Sequence, residues 1–178
     1  MARMQSACTA EESTPKERQT LAWGMAMLGD GSSALDCLQG QAAEAKTALA
    51  VGRALLRGSA EQQIQGEQML LELTRRQPES TASDEAVRLL MEPLLPDPEL
   101  VEAIPESLAG RSAAVAAARV RINGGIGTID MLQRWPDDRD SWQLQWDEVR
   151  AALLDEHWER ARNLLTALPL GTLPPPLK

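Results

Sequence analysis

Tyrosine and phenylalanine are both absent from the 178-residue chain, and five tryptophans supply its whole aromatic content. A tyrosine general acid, a multi-aromatic ligand cage and the aromatic packing of β-sandwiches therefore lose most of their parts. Histidine occurs once, at His157. A helical metal chelate needs a second ligand three or four positions away, and those positions hold Leu153, Leu154, Arg160 and Ala161. Ser-His-Asp or Cys-His catalysis would have to recruit the same histidine, and no serine or cysteine stands in a nucleophile motif. His157 thus reads as a turn residue, and the expectation is a non-enzyme with no catalytic residues, no cofactor and no metal. The two cysteines, Cys8 and Cys37, form neither a C-x-x-C pair nor a zinc set, and Cys37 reads as a small core residue. Cations are also outnumbered. Lys and Arg total 18 against 26 Asp and Glu, and the net charge of −8 opposes binding to a phosphate backbone, so no nucleic acid is expected. No run of 18 apolar residues occurs, which excludes a transmembrane span on length. The first 20 residues lack the apolar core of a secretory signal, so the chain as written is expected to be cytoplasmic.

What is present is helical pattern. Pro15 to Leu28 suits a helix, with Pro15 at its first position and Leu21, Met25 and Leu28 on one stripe. Ser32 and Ser33 can cap a short helix that Gly40 ends, and Ala42 to Leu56 is Ala-rich with Ala45, Leu49, Gly52 and Leu56 aligned. Ser59 and Gln62 have capping-box spacing for a helix running to Arg76, and Ser83-Asp84-Glu85 opens another through Met91. Pro93, Pro96, Pro98 and Pro105 predict a bend at about 93–105, with Asp97 capping a helix that Pro105 weakens. Ser112 to Ile122, a short helix capped by Thr128, and a hairpin joining Ser141–Leu154 to Trp158–Leu168 complete the series. No segment alternates as a strand does. The predicted fold is all-α: antiparallel helical hairpins, either stacked as repeats or packed as an irregular bundle. Residues 1–14 read as a disordered segment, 15–169 as a single helical domain and 170–178 as a Pro-rich tail.

Two of these hairpins resemble tetratricopeptide repeats. In the first, Val51-Gly52 and Leu55 fit the first helix of the repeat, and Gly66, Leu70, Leu73 and Pro78 fit the second, with about two extra residues in the turn. In the second, Trp146, Val149 and Leu153 precede Trp158, Ala161, Leu165 and Leu168, with the turn one residue short. Small residues at Gly52, Gly66 and Ala161 would let paired helices approach closely. The resemblance covers roughly a third of the chain and implies an adaptor-like role.

Several further segments have site-like composition. Gly124-Gly125-Ile126-Gly127 lacks the Lys-Ser/Thr ending of a phosphate loop and reads as a helix-terminating turn. Asp137, Asp138, Asp140, Asp147, Glu148, Asp155, Glu156 and Glu159 lack calcium-loop spacing and read as a solvated face. The tail from Leu173 to Lys178 carries three consecutive prolines but no full P-x-x-P pair. The tryptophans say more. Trp135, Trp142, Trp146 and Trp158 fall within 24 positions, and tryptophan is enriched at binding hot spots. They are the candidate partner-binding residues, with Trp146 expected to be buried at the aromatic position of the repeat and Trp142 exposed near the cap Ser141. The leading expectation is a non-catalytic adaptor or assembly factor holding a protein partner through an inter-helix groove. The alternative rests on Ser6-Ala7-Cys8, which resembles the end of a bacterial lipoprotein signal. That resemblance implies a cell-envelope protein tethered to the membrane by a lipid on Cys8, with a structural or pilot role, and an upstream start.

Overall fold

Thr14 sets the start of the first long helix. Its hydroxyl accepts a hydrogen bond from the Glu17 N–H at 3.3 Å, and the Glu17 carboxylate accepts one from the Thr14 N–H at 2.8 Å. This reciprocal box satisfies two donors that a helix start leaves orphaned, and Pro15, having no N–H, adds none. The computed structural model describes residues 7–8, 13–93 and 97–167. Its elements are α1 (Pro15–Met27), α2 (Gly31–Leu38), α3 (Ala45–Leu55), α4 (Ala60–Arg76), α5 (Thr81–Met91), α6 (Pro98–Glu102), α7 (Glu106–Ala109), α8 (Ala113–Ile122), α9 (Thr128–Arg134), α10 (Arg139–Leu154) and α11 (Trp158–Thr166). The fold is all-α, with no strand among the described residues. No described helix is long and apolar enough to cross a membrane.

The backbone divides into two compact units, residues 1–90 with 103–108 and residues 91–102 with 109–178. The division falls around the proline-rich segment, within what reads in sequence as one helical domain. In the first unit, α1 packs on α2 and α3, and α3 packs on α4. Met25, Ala34, Leu38, Val51 and Leu55 form its buried centre. Gln19 is buried between α1 and the loop ahead of α3, where its amide donates to the Ala42 carbonyl and its carbonyl accepts the Glu44 N–H, both at 3.1 Å. It thereby supplies from a distance the cap that Glu44 lacks.

The α3–α4 seam depends on two glycines. A Cβ at Gly66 would stand 2.9 Å from the Gly52 carbonyl oxygen, and one at Gly52 would stand 2.6 Å from Leu70 Cδ2. The helices meet backbone to backbone there, and no larger residue fits without moving one of them.

Cys8 and Cys37 are joined by a disulfide across 29 positions, and both are buried against the α1–α2 core. This corrects two expectations. Cys8 and its neighbour Ala7 are helical rather than disordered, and Cys37 is a half-cystine rather than a free core thiol. A sulfur bonded to another cysteine carries no thioether, so this bond and a lipid on Cys8 exclude each other. Residues 1–6 and 9–12, and the tail from 168, lie outside the described residues.

Several helix starts differ from the sequence pattern. Asp30, not Ser32 or Ser33, caps α2, accepting the Ser33 N–H at 3.0 Å. Ser83 lies inside α5, and its buried hydroxyl donates to the Gln77 carbonyl at 2.7 Å, satisfying an acceptor at the end of α4. The helix expected after Asp97 is two helices, broken just ahead of Pro105, whose ring would clash with the carbonyl four residues back. In the second unit, α8 packs on α6, α9 and α10, and α10 packs on α9 and α11. Ala113, Ala117, Val120, Met131 and Leu144 form the buried cluster there.

Candidate functional site

The last hairpin gathers most of the sequence-predicted site. Asp138 caps α10 by accepting the Asp140 N–H at 2.9 Å. Ser141, expected as the cap, is instead a fully buried residue of the first turn. The far end of α10 closes without glycine. Glu156 takes a positive φ of 58°, its N–H donates to Leu153, and the His157 N–H donates to Ala152 at 2.8 Å. These two bonds satisfy the last carbonyls of α10 in the pattern usually built around a left-handed glycine. His157 therefore sits, exposed, in the turn where its sequence reading had it.

Across the hairpin, Val149, Ala152, Ala161 and Leu164 fill the seam. The Gln145 amide donates to the Leu164 carbonyl, and Arg160 pairs with Glu148 at 2.5 Å. Gly125, with φ of +82°, abuts that ion pair, and a side chain there would overlap both partners. The glycine turn between α8 and α9 is thus shaped by close approach to Glu148 and Arg160. A cleft of about 510 Å³ lies beside it, bounded by Gly124, Ile126 and Asp130 on one side and Glu159, Asn163 and Leu164 on the other. The acidic residues divide by role: Asp138 caps, Asp147 meets Arg121 at 3.5 Å, Glu148 holds Arg160, and Asp137, Asp155, Glu156 and Glu159 are solvated. Among the described residues, no group of three or more acidic, cysteine or histidine side chains is arranged to hold a metal ion.

The four tryptophans separate into two pairs. Trp135 is half-buried against the Met131–Leu144 cluster, and the Arg134 guanidinium stacks 4.4 Å from its ring centre. Trp142 is half-buried, and its indole N–H donates to the Pro136 carbonyl at 2.7 Å. By contrast, Trp146 is 52% exposed and Trp158 is 65% exposed. The expectation for Trp142 and Trp146 is therefore reversed. Because α10 begins at Arg139, Trp142 falls near its start, where a helical side chain leans back toward the N-terminus and reaches the preceding loop. Trp146, one turn on, lies farther from that loop and stays exposed.

Neighbours extend the exposed pair. Leu153 lies seven residues after Trp146 on α10, and Leu165 seven after Trp158 on α11. Both are exposed, as is Leu154 at the turn. The leucines carry no sequence signal of their own, since at helical spacing an uncovered leucine looks the same as a core one. No family model, no curated protein and no solved structure matches the chain.

Proposed function

We propose that the chain is a non-catalytic helical adaptor or assembly factor that holds a partner protein on its last hairpin, with Trp146 and Trp158 as anchors. The observation that carries this reading is the exposure of both indoles together with Leu153, Leu154 and Leu165. Five large apolar side chains exposed on one hairpin are more than scattered surface residues, and buried tryptophan anchors supply a large share of binding energy at interfaces. Trp135 and Trp142, half-buried in their own unit, contribute less exposed surface than these two. The test is affinity capture from the native lysate, followed by titration of the captured protein against purified variants. Trp158→Ala and Trp146→Ala are each expected to weaken binding by about 2 kcal/mol, or about thirtyfold in Kd, with the circular-dichroism melt unchanged. Undiminished affinity in both variants defeats the reading.

A second reading concerns the compartment, and the Cys8–Cys37 disulfide favours it. Disulfides persist where thiols are kept oxidised, as in a bacterial envelope, and are rare in a reducing cytosol. An envelope protein with a structural or pilot role fits this bond; a tether through the Cys8 sulfur does not. Thiol blocking in intact cells, then denaturation and maleimide labelling, is expected to modify neither cysteine without reductant and both after reduction. Labelling of neither cysteine even after reduction, or of both without reductant, favours the cytoplasm.

A further inference from the structure

The fifth tryptophan belongs to a different surface, in the first unit. On α3 and just past its end, Lys46, Ala50, Arg53 and Arg57 follow one another at steps of four, three and four, which aligns them on one stripe. At about 1.5 Å per residue the stripe spans about 16 Å. Alongside it α1 contributes Trp23 and Met27, and the residue just past its end contributes Leu28, the last two well exposed; together they enclose a groove of about 480 Å³. The Lys46 ammonium stands 4.1 Å from the centre of the Trp23 ring. Arg53 holds the Glu85 carboxylate at 2.5 Å, and Arg57 makes no ion pair among the described residues. Among the described residues no acidic side chain lines the groove itself, Glu85 reaching only Arg53. In a chain of net charge −8, this is a local inversion of sign beside an apolar wall.

We propose that this groove binds an extended acidic peptide segment of a partner protein. Carboxylates would meet Lys46, Arg53 and Arg57, and an apolar side chain between them would lie against Trp23, Met27 and Leu28. Charge complementarity argues for the class of ligand. Glu85 on Arg53 is already an example, within the chain, of the contact such a ligand would make. Spacing argues for an extended chain: three cations spread over about 16 Å match about five residues of strand at about 3.3 Å each, whereas a single phosphate needs cations that converge. Net charge argues against an anionic bilayer, which would repel the chain as a whole.

The proposal goes beyond the reading of the last hairpin and stands on separate residues. Its test uses two degenerate libraries of fluorescein-labelled decapeptides, one alternating acidic with apolar residues and one alternating basic with apolar residues. Anisotropy is read against the full chain, and sedimentation is read with phosphatidylglycerol vesicles. The acidic library is expected to bind at least about tenfold tighter than the basic one, to weaken steeply with added salt, and to lose about tenfold or more in Arg57→Glu. Arg57 is exposed, so the melt of that variant should match the parent; Lys46→Glu is the second variant. Trp158→Ala should leave peptide binding unchanged, which separates failure here from failure at the hairpin. Equal binding of both libraries, or an unaltered Arg57→Glu, overturns the proposal. Vesicle binding that Arg57→Glu abolishes, without peptide binding, assigns the groove to a membrane surface and overturns it equally.

Discussion

The α3–α4 and α10–α11 hairpins carry the same small-and-large apolar pattern, yet they are buried to different depths. Positions at the seam match: Val51 and Val149 are both buried, as are Gly66 and Ala161. At the next large positions they part. Leu55 and Leu70 are 1% and 0% exposed, while their counterparts Leu153 and Leu165 are 42% and 43% exposed. Leu70 and Leu55 close against the seam glycines Gly52 and Gly66, so their burial begins within the hairpin itself. Among the described residues the α10–α11 hairpin keeps exposed leucines where the α3–α4 hairpin buries them, and that difference makes it the candidate contact surface.

The contrast can be broken by mutation. The largest effect is expected for Leu70→Ala, which removes a fully buried side chain and should cost about 2–5 kcal/mol of unfolding free energy. Leu165→Ala should cost less than about 1 kcal/mol, and equal losses in urea melts would erase the distinction between the hairpins. Next comes Gly66→Ala. Although alanine favours a helix by about 1 kcal/mol, its methyl would press on the Gly52 carbonyl, so a net loss of about 1–3 kcal/mol is expected. A more stable variant would show that the seam opens readily. Third, the double change Trp146→Ala with Trp158→Ala should shift stability by less than about 1 kcal/mol, and a large drop in Tm would return both indoles to structural duty.

The smallest effect is one of pH. The Glu17 carboxyl is held below its usual value of 4.5, first by the Thr14 N–H and then by the Thr14 hydroxyl. A depressed acid contributes stability above its unfolded pKa and loses it as pH falls through the folded one. Carboxyl carbon NMR should place the Glu17 midpoint below 4.5, and Thr14→Ala should raise it. An unmoved midpoint would show that the hydroxyl plays no part.

Much of the fold was legible because its signals are local. Ser59 with Gln62, Asp97, Ser112 and the spacing around Val51 each depend on residues within a few positions of one another. The errors came where the decisive partner lies elsewhere. Ser32, Thr128 and Ser141 are good caps by type, but Asp30, Gly127 and Asp138 stand one to three residues earlier and start their helices first. The candidate site was half legible: tryptophan density pointed to the hairpin on which two indoles are exposed, but periodicity is blind to coverage and chose Trp142 over Trp146 as the exposed one. The cationic stripe beside Trp23 had a sequence signal, three cations in helical register with no acid between them. It was hidden by the acidic balance of the whole chain. The disulfide had none, since two cysteines 29 positions apart announce neither a framework nor a metal.

That bond also changes what the first unit is as a covalent object. Residues 8 to 37 form a closed ring of chain that encloses all of α1 and most of α2. A protease that cuts once in the exposed turn at Leu28-Gly29 therefore opens the ring without releasing a piece. On a gel without reductant the nicked molecule migrates as one band, and only reduction separates the short N-terminal fragment from the rest. The two flanks of a nick at this turn stay covalently joined, whereas those of a cut between α3 and α4 are held together by packing alone.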